Sequence, residues 1–488
     1  MKTRREFIQQ GLLSGAALAL SSACRLGREE ASGIDTASLE RLRSNLRGLL
    51  LLPGEQDYDA ARRVFWRNPL TDRHPGVIAR CAGPEDIARC VEFAGDRSLP
   101  LAVRAGGHSF LGWGTCDDGM VIDTSLMKEI AIDPVARTAR LDTGVQTHQL
   151  VAAASQHNLV PVQGQCPLVG ASGLTLGGGL GWLSGKHGAA CDNLLSAELR
   201  MADGRALTAS AEQNPDLFWA IRGGGGNFGV TTSLTCQLHP LGNVIAGRLS
   251  YRTAAARTVL RFFREYMAGA PDELQAVVLL RDEDGSLAHI AVCWSGDPGQ
   301  GEEIVAPLRT VASPIADTVV RRTYPDTFGM TGGVPRRFST VKGSYCERLS
   351  DDFIDVILDR MAQAPGAGAA IGLDHYMHGA VCRVAPEATA FALRTPDAVH
   401  VWVNTGWDDP ADGPVSTNWV EETWNALQPY SGGRVYANFP GAEGETASRA
   451  AYGENYSRLT RLKNQFDPTN LFRRNQNVRP AGSRAIDF

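Results

Sequence analysis

Residues 164–181 read Gly-Gln-Cys-Pro-Leu-Val-Gly-Ala-Ser-Gly-Leu-Thr-Leu-Gly-Gly-Gly-Leu-Gly, from Gly164 through Cys166 to Gly181. Gly170, Gly173, Gly177, Gly178, Gly179 and Gly181 crowd the second half of this stretch. Glycine lets a backbone approach a ligand closely and adopt positive φ. The N–H groups freed in this way can cradle a pyrophosphate. Tight turns alone do not need so dense a run. A second loop, Arg104-Ala105-Gly106-Gly107-His108-Ser109, again sets glycines beside polar side chains. A third, Gly223 to Gly229, holds Asn227 and a formal G-x-G-x-x-G at 224, 226 and 229. It is not a dinucleotide fingerprint of the Rossmann kind. A strand rather than a helix follows it, and Leu249-Ser250 occupy the place of the acidic residue. No G-x-x-x-x-G-K-[ST] occurs, so a P-loop is excluded. Two glycine-lined loops of neither type point to a long dinucleotide held another way.

Outward from these loops, helix and strand signals alternate. Gly83-Pro84 opens a helix whose stripe is Ile87, Cys90, Val91 and Ala94. Short strands are expected at 99–104, 120–123 and 138–142, with a helix from about Thr147 to His157. Residues 197–208 read as a hairpin turning at Asp203-Gly204. Residues 230–239 alternate strictly and predict a half-buried strand. Residues 25–60 look like a weakly patterned leader. A second, α+β unit is expected at about 245–430. It contains a helix at 254–267, strands on either side of Asp284-Gly285, and a Ser350-capped helix at 351–361. Strands near 373–377 and 399–405 follow. The domain reading is a leader at 1–30, a first domain at 60–244, the second unit at 245–430 and a closing segment at 431–488.

The chain has 488 residues, a formal net charge of -5 and a pI near 6.1. This balance carries no basic footprint for nucleic acid. Lys2, Arg4 and Arg5 precede a short apolar stretch, Leu12 to Leu20, too short to span a bilayer. Thr3-Arg4-Arg5-Glu6-Phe7 has the form of a twin-arginine export signal, which carries folded proteins to the periplasm or beyond. Cys24, after Ser22-Ala23, is a candidate lipid anchor, although Ser21 is a poor match to such sites. Several of the remaining cysteines sit on apolar faces and read as buried thiols, while an exported protein could still form a disulfide, for example Cys81 with Cys90. No cysteine or histidine spacing suits a metal.

Taken together, Arg104–Ser109, Gly164–Gly170 and the glycine run that continues to Asp192-Asn193 resemble the berberine-bridge-enzyme-like FAD-linked oxidases, of the vanillyl-alcohol-oxidase group. Asn214–Ala220 and Phe466–Asn477 resemble the same family, and the middle unit does so only loosely. The resemblance implies an α+β fold. Its FAD-binding domain would be in two parts, completed by the C-terminal segment, beside an α+β substrate domain with an antiparallel sheet. It implies FAD bonded covalently through His108, at the flavin 8α position, and through Cys166, at C6. Imidazole and thiolate are both nucleophiles, so the residue types suit this chemistry. Further cofactor contacts are expected from Arg104, Gly106, Gly107, Ser109, Val169, Gly170, Gly173 and Leu176. Gly177, Gly178, Gly179, Gly181, Asn227, Gly229, Val230, Asn475 and Asn477 complete the set.

The implied reaction is hydride transfer from an alcohol to flavin N5, followed by reoxidation. Val169 stands where the family has a gatekeeper, and valine there goes with O₂ as acceptor and H₂O₂ as product. Tyr436, in Tyr436-Ala437-Asn438, resembles the family's active-site Tyr-x-Asn and is the first candidate base. It is followed by Phe439-Pro440-Gly441 rather than the usual polar continuation, which leaves the base open. Asp374, Tyr376 and His378 recur at period 2, so they are expected on one strand face as the pocket wall. Substrates in the family range from sugars to phenolic alcohols and other secondary metabolites. Oxidative ring closure and a dehydrogenase with another acceptor are the alternatives.

Overall fold

Proline in the first turn and a helical apolar stripe produce the helix Pro84–Asp96, with Ile87, Cys90, Val91 and Ala94 buried. This helix belongs to the first of three sheets in a computed structural model that describes residues 34–482, except 284, 333–335, 440, 442 and 443. The export-type segment, Cys24, Asp284 of the expected turn and Pro440 lie outside the described residues.

The first sheet holds β1 (Leu49–Leu51), β2 (Val77–Arg80), β3 (Leu101–Arg104) and β4 (Met120–Asp123) in the order β1-β2-β4-β3. The last three are parallel, and β1 is antiparallel at the edge. Residues 34–60 are therefore not a leader. Asp35 caps the helix Thr36–Asn45 by accepting from the Ser38 N–H, and Ile34 and Leu42 enter the core. Their apolar residues are too few and too spaced to show a period, and the sheet supplies the partner.

The second sheet is antiparallel. It contains β5 (Ile130–Asp133), β6 (Thr138–Asp142), β7 (Leu159–Pro161), β8 (Leu194–Arg200), β9 (Ala206–Ser210) and β10 (Val230–Pro240). The order is β5-β6-β10-β8-β9, and β7 pairs with the end of β10. Because β10 is central, Val230 to Leu234 are buried on both faces, and only its far half follows the expected alternation. Thr231, Thr232 and Ser233 are buried although they read as a solvent face.

The third sheet holds β11 (Val244–Arg252), β12 (Leu274–Glu283), β13 (Ser286–Trp294), β14 (Ala316–Asp317), β15 (Val320–Arg322), β16 (Phe338–Cys346), β17 (Ala370–Tyr376) and β18 (Val399–Trp407). Its pairings are antiparallel. The helices Ala256–Ala268, Asp351–Ala362 and Gly413–Leu427 cover one face. Val399, Val401 and Val403 point into that helical core, which leaves His400, Trp402 and Asn404 on the other face. Ser350 caps the Asp351–Ala362 helix by accepting from the Phe353 N–H. The fold is α+β. Among the described residues no helix is long and apolar enough to cross a membrane.

Candidate active site

The two glycine loops meet backbone to backbone. A Cβ on Gly106 would lie 2.2 Å from the Gly170 nitrogen, and one on Gly170 would lie 2.6 Å from the Gly106 nitrogen. His108 and Cys166 are carried on these touching loops. Cys166 is the only exposed thiol among the described cysteines; seven others are buried and Cys382 is half-buried. Cys81 and Cys90 are both buried and free. Burial holds the His108 imidazole down to a pKa of about 4, so its ring is neutral, with a free lone pair, at ordinary pH. Gly107 has φ +68°, and its carbonyl accepts from the Phe65 N–H. Ser109 Oγ accepts from the Trp113 N–H.

The longer loop is built for close approach. A Cβ on Gly181 would lie 1.9 Å from the Gln163 carbonyl, and one on Gly178 would meet the Phe391 ring at 2.6 Å. Gly173, by contrast, faces open space. The Leu176 carbonyl accepts from both the Gly223 and Gly225 N–H groups, so the second and third glycine clusters are one structure. The Val169 carbonyl is held by the Thr147 N–H and hydroxyl.

Other expected cofactor residues also have protein partners. Arg104 pairs with Asp123 at 2.8 Å and donates to the Arg63 carbonyl. Asn227 donates to the Gly224 and Gln476 carbonyls and accepts from the Val478 N–H. Gly229 lies close to the Arg200 carbonyl, and Val230 pairs with Arg200 in the sheet. Asn475 donates to the Gly226 carbonyl, yet its Oδ1 is buried without a protein partner, as is the Oδ1 of Asn477. Buried oxygens of this kind call for a polar ligand. The glycine cradle and these oxygens fit a bound dinucleotide.

Tyr436 sits above this loop, 1 % exposed. Its hydroxyl accepts from the Gly179 N–H at 3.0 Å and from Asn438 Nδ2 at 3.1 Å. Burial pushes its pKa up, and the Asn438 and Gly179 donors pull the other way. A Cβ on Gly177 would strike Asn438 Oδ1 at 2.0 Å, so the loop and the Tyr-x-Asn segment are fitted to each other.

The expected wall of Asp374, Tyr376 and His378 does not form. His375 adopts φ +52°, and the β17–β18 register shifts between Asp374 and Tyr376. A bulge adds one residue and reverses the alternation beyond it. Tyr376 turns into the helical core against Phe263, and its hydroxyl donates to Asp397. His378, beyond the end of β17, packs over Gly185, and the charges acting on it are Asp272, Arg383 and Asp397. Asp374 stays on the site face with His375 Nε2 3.2 Å from its carboxylate. Gln165, the neighbour of Cys166, and Trp402 approach the same carboxyl. Burial raises the Asp374 pKa and lowers that of His375. A small recess of about 50 Å³ lies here, lined by Gln165, Val277, Val278, Leu279, Thr331, Asp374 and Trp402.

The sequence reading missed His375 and His400. The His400 ring lies 5.4 Å from Tyr436, edge to face, and 6.2 Å from His375. Neither of its nitrogens has a protein partner, and burial holds its pKa well below the usual histidine value. The signal was present in Val399-His400-Val401-Trp402-Val403-Asn404, where one face is all valine and the other all polar or aromatic.

A glycine cradle for a dinucleotide facing a cluster of buried proton acceptors defines an FAD-linked oxidoreductase. Family models agree, an FAD binding domain matching residues 75–210 and a berberine and berberine-like domain matching residues 435–479. The (R)-6-hydroxynicotine oxidase of Paenarthrobacter nicotinovorans is 30% identical over 90% of this chain and 98% of its own. The xylooligosaccharide oxidase of Thermothelomyces thermophilus is 28% identical, over 85% and 90%. Among solved structures, 6-hydroxy-D-nicotine oxidase from Arthrobacter nicotinovorans superposes with a TM-score of 0.82 at 27% identity, covering 89% of this chain and 98% of that one. The chain belongs to the berberine-bridge-enzyme-like family of FAD-linked oxidoreductases, and it is an enzyme.

Proposed function

We propose that this chain is an oxidase that carries FAD on both His108 and Cys166, oxidises an alcohol and passes the electrons to O₂, giving H₂O₂. One observation carries the reading: the one exposed thiol among the described cysteines and a neutral, half-buried imidazole stand on two loops that touch through Gly106 and Gly170. The bound flavin would supply the hydride acceptor. The protein's part is to hold the substrate carbon and take up its hydroxyl proton. Tyr436 suits the second task because its oxygen receives hydrogen bonds from the Gly179 N–H and Asn438 Nδ2, which stabilises negative charge there. His400, His375 and Asp374 are neighbouring acceptors. The half-buried Val169 beside Gly170 leaves little bulk against the ring and supports access for O₂. Two relatives are named as oxidases, which supports the same acceptor. The Thr3–Phe7 motif supports export of the loaded enzyme.

The test is acid precipitation, proteolysis and mass spectrometry of the flavin peptides. One FAD bridging a His108 peptide and a Cys166 peptide is expected, with peroxide formed on turnover of an alcohol. Flavin that washes out of the acid pellet would refute the double link.

A further inference from the structure

We infer that Phe65 is a positioning residue for the flavin link: its ring sets the plane in which the His108 imidazole meets the cofactor. The inference rests on the proposed bond at His108. The two rings are stacked, with centroids 3.9 Å apart and planes 20° apart. Among the described residues no hydrogen bond reaches either ring nitrogen of His108; its contact is with the Phe65 ring. An imidazole that must present one nitrogen is normally oriented by a hydrogen bond to the other. Here the flat face of Phe65 is what remains to do so.

The segment around Phe65 is fastened to the histidine loop at several points. The Phe65 N–H donates to the Gly107 carbonyl at 3.0 Å, and Arg104 donates to the Arg63 carbonyl at 3.3 Å. On the far side, Phe65 packs edge-on against Trp66, which leans on Phe110. Phe65 is nonetheless 42% exposed, which is unusual for a phenylalanine serving only as core. A buried anchor would be expected to matter for folding; an exposed ring with one face on a histidine matters for that histidine.

Attachment exchanges the imidazole N–H and one C–H of the flavin methyl for an N–C bond, and O₂ takes the two electrons and two protons as H₂O₂. Orientation of the attacking nitrogen enters the rate of this step. The test is to produce the full chain in riboflavin-depleted cells, add FAD, and follow acid-stable flavin on the His108 and Cys166 peptides by mass spectrometry. Phe65→Leu should slow the His108 link roughly three- to tenfold, the range expected for loss of one aromatic stack. Phe65→Tyr should keep the wild-type rate, and the Cys166 link and the melting temperature should not move. Equal His108 linkage in wild type and Phe65→Leu would overturn the positioning role and leave the bond itself standing. Wild type with no flavin on His108 would overturn the bond, and the role of Phe65 with it.

Discussion

At the residue scale the site is an arrangement of close approaches. Gly106 has no positive φ, so its requirement is purely steric: the Gly170 nitrogen stands where a Cβ would be. Gly106→Ala must part the two loops, at about 1–3 kcal/mol. It should yield folded protein with little acid-stable flavin, measured as the ratio of flavin to protein absorbance. Tyr436→Phe tests the chemistry instead. Loss of the hydroxyl should lower kcat by about 10²–10⁴-fold. It also strips the Gly179 N–H of its acceptor, at about 1–3 kcal/mol, so the melting temperature should fall as well. Stopped-flow bleaching of the flavin at an unchanged rate would remove Tyr436 as the base. Much of this scale was legible. The glycine loops, His108, Cys166 and the Tyr436–Asn438 pair all stand out in the sequence, because close approach and nucleophilicity are properties of residue type. His400 was also readable, with Trp402 and Asn404 on the strand face opposite three valines.

At the scale of elements, legibility followed locality. The Pro84–Asp96 helix and the Ser350 cap depend on neighbours in the chain. The bulge at His375 depends on register with β18, and no local signal announces it. That single added residue sends Tyr376 to the core and leaves Asp374 at the recess, which undid the period-2 wall. The C-terminal helix Tyr456–Phe466 shows what else local patterns hide. Lys463, fully buried, pairs with Asp467 at 2.7 Å and donates to the carbonyls of Asn227 and Phe472. Burial pulls its pKa down to about 8 against the pull of Asp467. The amine thus fastens the closing segment to the third glycine cluster. Lys463→Ala leaves Asp467 buried and unpaired, and should cost about 3–5 kcal/mol. A urea midpoint within error of wild type would show that this pair holds nothing together.

At the scale of the whole molecule, burial of imidazoles links the site to acid stability. His187 is held down to about 4, and His375 and His400 are also lowered, in each case first by burial. An unfolded histidine titrates near 6.5. Between that value and the lower folded one, the unfolded chain binds more protons than the folded chain. Stability from these groups is therefore complete above about pH 6.5 and is lost as pH falls, by about 1.4 kcal/mol per pH unit for each proton taken up. Asp374 works in the opposite sense, because burial raises its pKa and the folded state then holds the extra proton above 3.8. His108, His239, His289 and His378 are lowered by burial in the same way, and Asp142 is the other carboxyl raised by it among the described residues, so the imidazoles outnumber the carboxyls and the balance is a net loss toward acid. Thermal melts of the full chain should fall steadily from pH 6.5 to 4.5. His400→Gln, which cannot take up a proton, should flatten the slope, whatever it does to the melting temperature at pH 8. An unchanged slope in that variant would mean that His400 is protonated in the fold or titrates normally, and the neutral acceptor next to Tyr436 would be lost with it.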